Sequence, residues 1–350
     1  MQRSYRGARS NRWVPAISAG VIIMGAALAP RGEGAMGEET RSIELSVDLP
    51  ATIEDVFRLW TTADGVRLFL GHDPVIDAKV RGRYEIGFDK HGDAEGNAFR
   101  TSGAKVRAWE PPTHVAFDWS GPPWAMKLMN NDPPATWIDV RLIALDGAPA
   151  RTRVQLTHQG FGTGGEWDRA YAFFESAWKR ILARLESYCV ECAKPVSQRR
   201  VRHEVVVNAP VSTVWHAWTT VEGLKTFIAE DAKVDLKPGG AYEWYFSMRA
   251  PEGQRGAEGC TVLSLVPEES LRFTWNAPPS LPALRKAGAR SEVLVELKSL
   301  SEAQTRVTLT QSGFGDGEDW KVYFDYFYSA WRRVLDLLEQ RMAAKPRSRG

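Results

Sequence analysis

The chain has 350 residues, of which 43% are hydrophobic and 25% are charged, and it contains 14 tryptophans. This composition is typical of a folded protein and excludes a disordered one. The formal net charge is +2. Four arginines among the first twelve residues account for this value, because the rest of the chain has slightly more acidic than basic residues. The body of the protein therefore lacks the basic excess of nucleic-acid-binding proteins, and we expect no nucleic-acid partner.

The N-terminus joins a basic stretch to an apolar one. The arginines of residues 3–12 precede an uncharged run, Trp13–Pro30, that ends in small residues. This order is typical of a secretory signal peptide, and the run is also long enough to remain as a membrane anchor. We expect residues 1–35 to direct export, by cleavage between Leu28 and Met36 or as an anchor that leaves the protein facing outside. A leader without function would leave the protein in the cytoplasm.

Most of the remaining chain is one sequence repeated. TRVQLTHQGFG at 152–162 matches TRVTLTQSGFG at 305–315, and the aromatic-rich segments that follow each of them match at the same offset. Upstream matches keep their order with small changes in offset. Self-similarity at so long a period indicates a duplicated domain. The predicted organisation is two repeats, 41–188 and 200–343, joined by a linker at 189–199 and followed by a basic tail at 344–350.

Each repeat begins with a strand and a short helix. Ile43, Leu45 and Val47 alternate with polar residues, as expected for a strand with one apolar face, and Val201–Val207 repeats the pattern. A proline, Pro50 or Pro210, then starts a short helical stretch. Four or five short strands separated by turn residues follow. Antiparallel strands with one apolar face need a cover on that face.

A long C-terminal helix supplies the cover. Trp167, Tyr171, Phe174 and Trp178 lie at i, i+4, i+7 and i+11, and Trp320, Phe324, Phe327 and Trp331 repeat this spacing. The spacing predicts one apolar face along a helix of about 20 residues, or ~30 Å. The predicted fold class is α+β: two tandem domains, each a curved antiparallel sheet wrapped around its long C-terminal helix.

Three segments of the second repeat carry a family resemblance. Pro-x-x-x-Val-Trp-x-Ala-Trp-Thr-Thr at 210–220, Asp-x-Lys-Pro-Gly-Gly-x-Tyr at 235–242 and the aromatic segment at 305–335 resemble the activator of Hsp90 ATPase homolog 1-like family of the START-like, or SRPBCC, superfamily. The first repeat departs from the Pro-Gly-Gly turn at residues 80–82. The resemblance implies a helix-grip fold with a cavity between sheet and helix. Members of the superfamily bind apolar small molecules there, and a minority catalyse aromatase/cyclase or hydrolytic reactions.

We expect inward-facing aromatic residues and one polar residue in each repeat to line these cavities. Those nearest the helix start, such as Tyr171 and Phe324, are favoured as walls, whereas Trp178 and Trp331 are expected in the core. Segments 120–134 and 276–290 are either lids or short helices packed over the sheet end. The candidates are Tyr84, Phe117, Trp119, Trp124, His158, Trp167, Tyr171 and Phe174 in the first repeat, and Tyr242, Phe273, Trp275, Gln311, Trp320, Phe324 and Phe327 in the second.

His158 is the polar candidate with the clearest alternatives. It shares a strand face with Val154 and Leu156 and should point inward. It could donate a hydrogen bond to a ligand, act as a general base near the usual pKa of about 6.5, or pair with a neighbouring carbonyl in the core. Gln311 occupies the same place in the second repeat, which favours hydrogen bonding because an amide cannot act as a base.

The sequence contains no recognisable metal or nucleophile motif. H-x-x-x-H, H-E-x-x-H and G-x-S-x-G are missing, so we predict no metal, no cofactor and no catalytic residue common to both repeats. Cys189 and Cys192 form a C-x-x-C that follows the predicted helix instead of opening one, unlike a redox motif. Export would favour a local disulfide between them. Cys260 alternates with Val262 and is predicted to be a buried thiol.

The predicted function is non-enzymatic binding of an apolar small molecule or lipid in one or both repeats. A membrane is expected as a partner only through an uncleaved N-terminal segment, and the two repeats could pack as an intramolecular pseudo-dimer. Two alternatives remain: a co-chaperone-like interaction protein, as the name of the family suggests, and a cyclase- or hydrolase-type enzyme that uses His158.

Overall fold

The structure is a computed structural model that describes residues 22–23, 40–88, 99–130 and 135–343. Within these ranges no helix is long and apolar enough to cross a membrane. Of the predicted leader, Ile22–Ile23 (β1) is described, and it pairs with Leu45 and Ser46 of the next strand. The predicted cleavage site and the basic tail lie outside the described residues.

The first repeat has an antiparallel sheet in the order β1-β2-β9-β8-β7-β6 and a smaller sheet in the order β3-β4-β5. A single 3-10 turn, Pro123–Ala125, precedes its third helix. The elements after β1 are β2 (Arg41–Leu49), α1 (Ile53–Thr61), α2 (Ala63–Phe69), β3 (His72–Ile76), β4 (Tyr84–Phe88), β5 (Phe99–Arg100), β6 (Val106–Glu110), β7 (His114–Trp119), α3 (Met126–Met129), β8 (Thr136–Leu145), β9 (Arg151–Phe161) and α4 (Gly165–Cys192).

The second repeat has the same succession of elements, except that its described residues form no counterpart of β1 or β5. Its sheets run in the orders β10-β16-β15-β14-β13 and β11-β12. The α+β fold of two tandem helix-grip domains is thereby confirmed. The elements are β10 (Val201–Val207), α5 (Val211–Thr219), α6 (Val221–Lys225), β11 (Asp231–Val234), β12 (Tyr242–Tyr245), β13 (Val262–Val266), β14 (Ser270–Asn276), α7 (Pro282–Lys286), β15 (Arg290–Ser301), β16 (Gln304–Ser312) and α8 (Glu318–Ala343).

The long helices α4 and α8 bury one face against their sheets. Trp178 and Trp331 occupy the middle of these faces and are 0% and 1% exposed. Each contacts a tryptophan at or next to the end of a sheet strand, β7 or β14, with ring centroids 5.0 Å apart for Trp119–Trp178 and 4.8 Å apart for Trp275–Trp331. Burial of such large aromatic side chains is the main force that holds helix to sheet.

Two local predictions need adjustment. The α4 helix continues to Cys192, so the C-x-x-C lies in its last turns and does not follow the helix. Both loop segments that were considered as lids contain a short helix, α3 or α7. In the second repeat Arg285 of α7 donates to the carbonyls of Gly253 and Gly256 and pairs with Glu258 at 2.9 Å, which fixes this segment over the sheet end.

The two repeats contact each other through their long helices. The Tyr188 hydroxyl of α4 donates to Asp325 of α8 at 2.8 Å, and the Tyr328 hydroxyl donates to the carbonyl oxygen of Arg184 at 3.4 Å. Arg332 of α8 donates to the carbonyl oxygen of Arg67 at 3.2 Å. The surface of the second repeat that makes these contacts also borders a cavity of the first.

Candidate functional site

The first repeat encloses a cavity of about 500 Å³ between its sheet and α4, which we call cavity 1. Most of its wall is aromatic or aliphatic, because the sheet and the helix both turn their apolar faces towards it. The apolar wall residues include Leu70, Phe88, Phe99, Trp119, Phe174, Trp178 and Ile181.

The rim of cavity 1 is polar and comes from both repeats. His72, Arg180 and Arg184 belong to the first repeat. Strand β10 and helix α8 of the second repeat complete the rim, and the His72 Nε2 lies 3.9 Å from a carboxylate oxygen of Asp336. Cavity 1 is thus a composite site. The rim residues from the second repeat are Glu204, Val205, Val206, Arg332, Asp336 and Glu339.

The second repeat has a smaller cavity of about 210 Å³ at the equivalent place, cavity 2. Residues of the second repeat alone line it, and Arg333 is the only charged residue on the wall within the described part of the chain. The packing of the two repeats is therefore not a symmetric pseudo-dimer: the mouth of cavity 1 meets the second repeat, whereas no described residue of the first repeat lines cavity 2.

The two cavities correspond along their helices. Phe174, Ala177, Trp178, Arg180 and Ile181 of cavity 1 occupy the positions of Phe327, Ala330, Trp331, Arg333 and Val334 of cavity 2. At one helical position the chemistry changes, since Arg184 is replaced by Leu337. The internal duplication therefore identifies the residue in which the two sites differ most.

His158 is a buried hydrogen-bond acceptor. The Trp178 indole Nε1 donates to its Nδ1 at 3.1 Å, and in the second repeat Trp331 Nε1 donates to Gln311 Oε1 at 2.8 Å. Burial lowers the pKa of His158 well below its usual 6.5, so the ring is neutral. His158 was one candidate for donating a hydrogen bond to a ligand in the cavity, but in the structure its Nδ1 accepts a hydrogen bond from Trp178 in the core. His158 and Gln311 instead fix the central tryptophan of each helix against its sheet.

We expect His158→Gln to fold normally and to cost less than about 1.5 kcal/mol of unfolding free energy, because glutamine already accepts the equivalent indole N–H in the second repeat. His158→Leu should cost about 1–3 kcal/mol, since it leaves the Trp178 N–H buried without an acceptor. Chemical denaturation measures both values. Loss of ligand binding in a fully folded His158→Gln protein would contradict this structural role.

Four of the predicted wall residues do lie on a cavity. Trp119 and Phe174 line cavity 1, and Trp275 and Phe327 line cavity 2. Tyr84 and Phe117 instead stack in the core with centroids 3.7 Å apart. Tyr242 and Phe273 occupy the same place in the second repeat. The hydroxyls of both tyrosines donate to helix-end carbonyls, those of Trp60 and Trp218.

The candidates near the helix starts lie elsewhere than predicted. Trp167 and Trp320 rest on the loop before the helix, where a Cβ on Gly162 or Gly315 would come within 2.7 or 2.5 Å of the indole ring. Tyr171 faces the edge strand and donates to the carbonyl of Ser42 at 3.2 Å.

The remaining two aromatic candidates pack against other parts of the chain. Phe324 lies in the seam between repeats, where the Arg199 guanidinium is 5.3 Å from its ring centroid. Trp124 packs edge-on against Phe173 and beneath Arg169. The cavities begin one turn further along each helix than the spacing suggested.

Comparison with known proteins agrees with this architecture. The family model described as activator of Hsp90 ATPase homolog 1-like protein matches residues 50–189 and again 208–343. The chain belongs to this family. No curated protein matches it.

Several solved structures align with one or both repeats. A protein of Mesorhizobium loti is 24% identical and aligns over 41% of this chain and 96% of its own, with a TM-score of 0.33. The Aha1 dimer of Colwellia psychrerythraea is 20% identical over 41% of this chain and 95% of its own, with a TM-score of 0.31. The di-domain ARO/CYC protein BexL of the BE-7585A biosynthetic pathway is 14% identical over 87% of this chain and 100% of its own, with a TM-score of 0.34.

Several wall residues of this family member were missed from the sequence. Ala177, Ile181 and Arg184 share a helix face beside Trp178, and their spacing alone could have found them. A face that mixes small and charged residues usually meets solvent, so its composition does not by itself indicate a cavity wall. The small residue at the same place in both repeats, Ala177 and Ala330, was the available signal, since it leaves space beside two large tryptophans.

No group of metal-ligating side chains occurs among the residues that the structure describes. The three cysteines are free thiols. Burial raises the pKa of Cys192 and of Cys260 to about 11, and it raises that of Cys189 further. Thiols held in their protonated form are poor nucleophiles, which does not favour redox chemistry at the C-x-x-C.

Proposed function

We propose that this protein binds an apolar small molecule, or the apolar part of a lipid, in cavity 1. The observation that carries the proposal is the preformed cavity itself, about 500 Å³ in volume and walled by aromatic and aliphatic side chains. Pockets for small organic ligands commonly measure about 300–1,000 Å³, are mostly apolar, and carry a few polar groups that orient the ligand. Cavity 2, at about 210 Å³, falls below that range and is assigned a lesser role.

The chemistry of the described residues supports binding without turnover. The buried His158, the polar residue that the sequence singled out, is neutral and already accepts the indole N–H of Trp178. A general base has to be within reach of a substrate proton, which His158 is not while it is enclosed in the core.

A matched pair of substitutions tests the site. We expect Ala177→Phe to fill cavity 1 and to weaken binding of the neutral dye Nile red at least about tenfold, because a close-packed interior has no other space for the added ring. Ala330→Phe makes the same change in cavity 2 and should leave most dye binding intact. Fluorescence titration gives the affinities, and circular dichroism confirms that both proteins are folded.

The opposite pattern, in which Ala330→Phe removes binding and Ala177→Phe does not, would place the ligand in cavity 2. A wild-type protein that binds neither Nile red nor other neutral apolar dyes would contradict the proposed function. Purification from the native host followed by mass spectrometry of the extracted small molecules offers an independent test, since a bound ligand should be recovered with the wild-type protein.

A further inference from the structure

The side chain of Arg184 is the most unusual feature of cavity 1. Its backbone carbonyl accepts the Tyr328 hydroxyl, but its guanidinium makes no hydrogen bond or close ion pair with any residue in the described ranges. Burial lowers the pKa of Arg184, while the charges of Asp336 and Glu339 act in the opposite direction. Arg184 is partly buried, and its guanidinium lines a cavity whose wall is mostly apolar. A charged donor group without a protein partner at such a place can bind an anionic group of a ligand.

The rim around Arg184 carries charges of both signs. Arg180 and Arg332 share the rim with it, against Asp336 and Glu339. The third rim acid, Glu204, is already engaged, since it forms ion pairs with Arg306 at 3.2 Å and with Arg202 at 3.6 Å. His72 faces Asp336 at 3.9 Å. Because Asp336 and Glu339 share the rim with Arg184, a ligand group with a single negative charge fits there better than a doubly charged phosphate.

The second repeat provides an internal comparison. Leu337 stands at the position of Arg184, while the arginine one turn earlier is common to both cavities as Arg180 and Arg333. If Arg184 only covered the helix surface, leucine would serve equally well in cavity 1. The positive charge of Arg184 therefore belongs to cavity 1, the larger of the two, whose rim is completed by the second repeat.

We propose that cavity 1 selects an amphiphile with one carboxylate, whose apolar body lies against Trp119 and Trp178 and whose carboxylate is bound by Arg184. This inference rests on the proposed function of cavity 1. The planar guanidinium donates two parallel hydrogen bonds to a carboxylate, and a partly dehydrated rim strengthens such charge-assisted bonds. The acids contributed by α8 limit the site to a singly charged end group.

The test compares a fatty acid with its uncharged ester. Dodecanoic acid and methyl dodecanoate are used at neutral pH to displace Nile red from the full-length protein, below the concentrations at which either aggregates. We expect the acid to bind about tenfold more tightly than the ester, as one charge-assisted hydrogen-bond pair would provide. In Arg184→Leu, which copies the second repeat, acid affinity should fall about tenfold to that of the ester, whose affinity should not change.

Lys179→Leu is the matched control. It removes one positive charge from the same helix, at a residue that pairs with Glu175 at 3.0 Å, so it should keep the preference for the acid. Equal affinity of the wild type for acid and ester would overturn this inference while leaving the proposed function intact. An equal loss of acid and ester binding in Arg184→Leu would also overturn it, since Arg184 would then only shape the cavity. Failure of Nile red and both lipids to bind the wild type would overturn the proposed function itself.

Discussion

Trp178→Ala and Trp331→Ala should each reduce the unfolding free energy of the affected repeat by about 3–5 kcal/mol, the usual cost of removing a large buried aromatic side chain. Both indoles are almost completely buried in the centre of the long helix, and each donates a hydrogen bond to the sheet, to His158 or to Gln311. The truncation therefore removes apolar contacts and also leaves a buried acceptor unpaired. Urea unfolding followed by tryptophan fluorescence and circular dichroism measures the change.

Two further variants separate the contributions to this cost. Trp178→Phe keeps most of the ring contact but loses the indole N–H, so it should cost only about 1–2 kcal/mol. Tyr171→Ala removes a half-buried ring whose hydroxyl bonds to Ser42 at the sheet edge, and it should leave Nile red binding unchanged. A Trp178→Ala protein as stable as the wild type would show that α4 is not held by this residue.

Acidification should destabilise the second repeat through His203. Its Nε2 donates to the Tyr328 carbonyl oxygen at 2.7 Å, and burial lowers its pKa from 6.5 to about 4. Because the folded-state pKa lies below the unfolded-state value, the unfolded chain binds more protons between these pH values. Stability is then fully present above pH 6.5 and is lost as the pH falls towards about 4. The loss attributable to His203 is ~3 kcal/mol at about 1.4 kcal/mol per pKa unit.

His203→Gln is the variant that isolates this effect, since glutamine retains an N–H donor for the Tyr328 carbonyl but does not titrate. The unfolding free energy of the wild type, measured relative to that of the variant across the same pH series, should fall by ~3 kcal/mol as the pH drops from 6.5 towards about 4. The charged groups around His203, namely Arg184, Arg332 and Asp336, are common to both proteins, so their titration cancels in the difference. Parallel pH dependences for the two proteins would show that His203 does not control acid stability.

Local patterns in the sequence were enough to predict the architecture. The duplication, the alternation in β2 and β10, and the aromatic spacing in α4 and α8 all follow from side-chain periodicities of two and 3.6 residues, which depend on neighbours within one element. The same patterns placed Trp178 and Trp331 in the core. The substitution of Gln311 for His158 also indicated hydrogen bonding, because an amide and a neutral imidazole can accept the same indole N–H.

The position and chemistry of the site depended on tertiary structure. An apolar helix face is broad enough to serve both the core and a cavity, so spacing alone could not separate Tyr171, which faces the sheet edge, from Phe174, which lines cavity 1. Nor could it show that Asp336 and Glu339, far away along the chain, would border the first repeat's cavity. Nothing in the sequence indicated that Arg184 would line a cavity. The packing of α8 and β10 beside α4 places it on a rim that both repeats share, and contacts between residues so far apart in the chain leave no trace in the local periodicity of one helix.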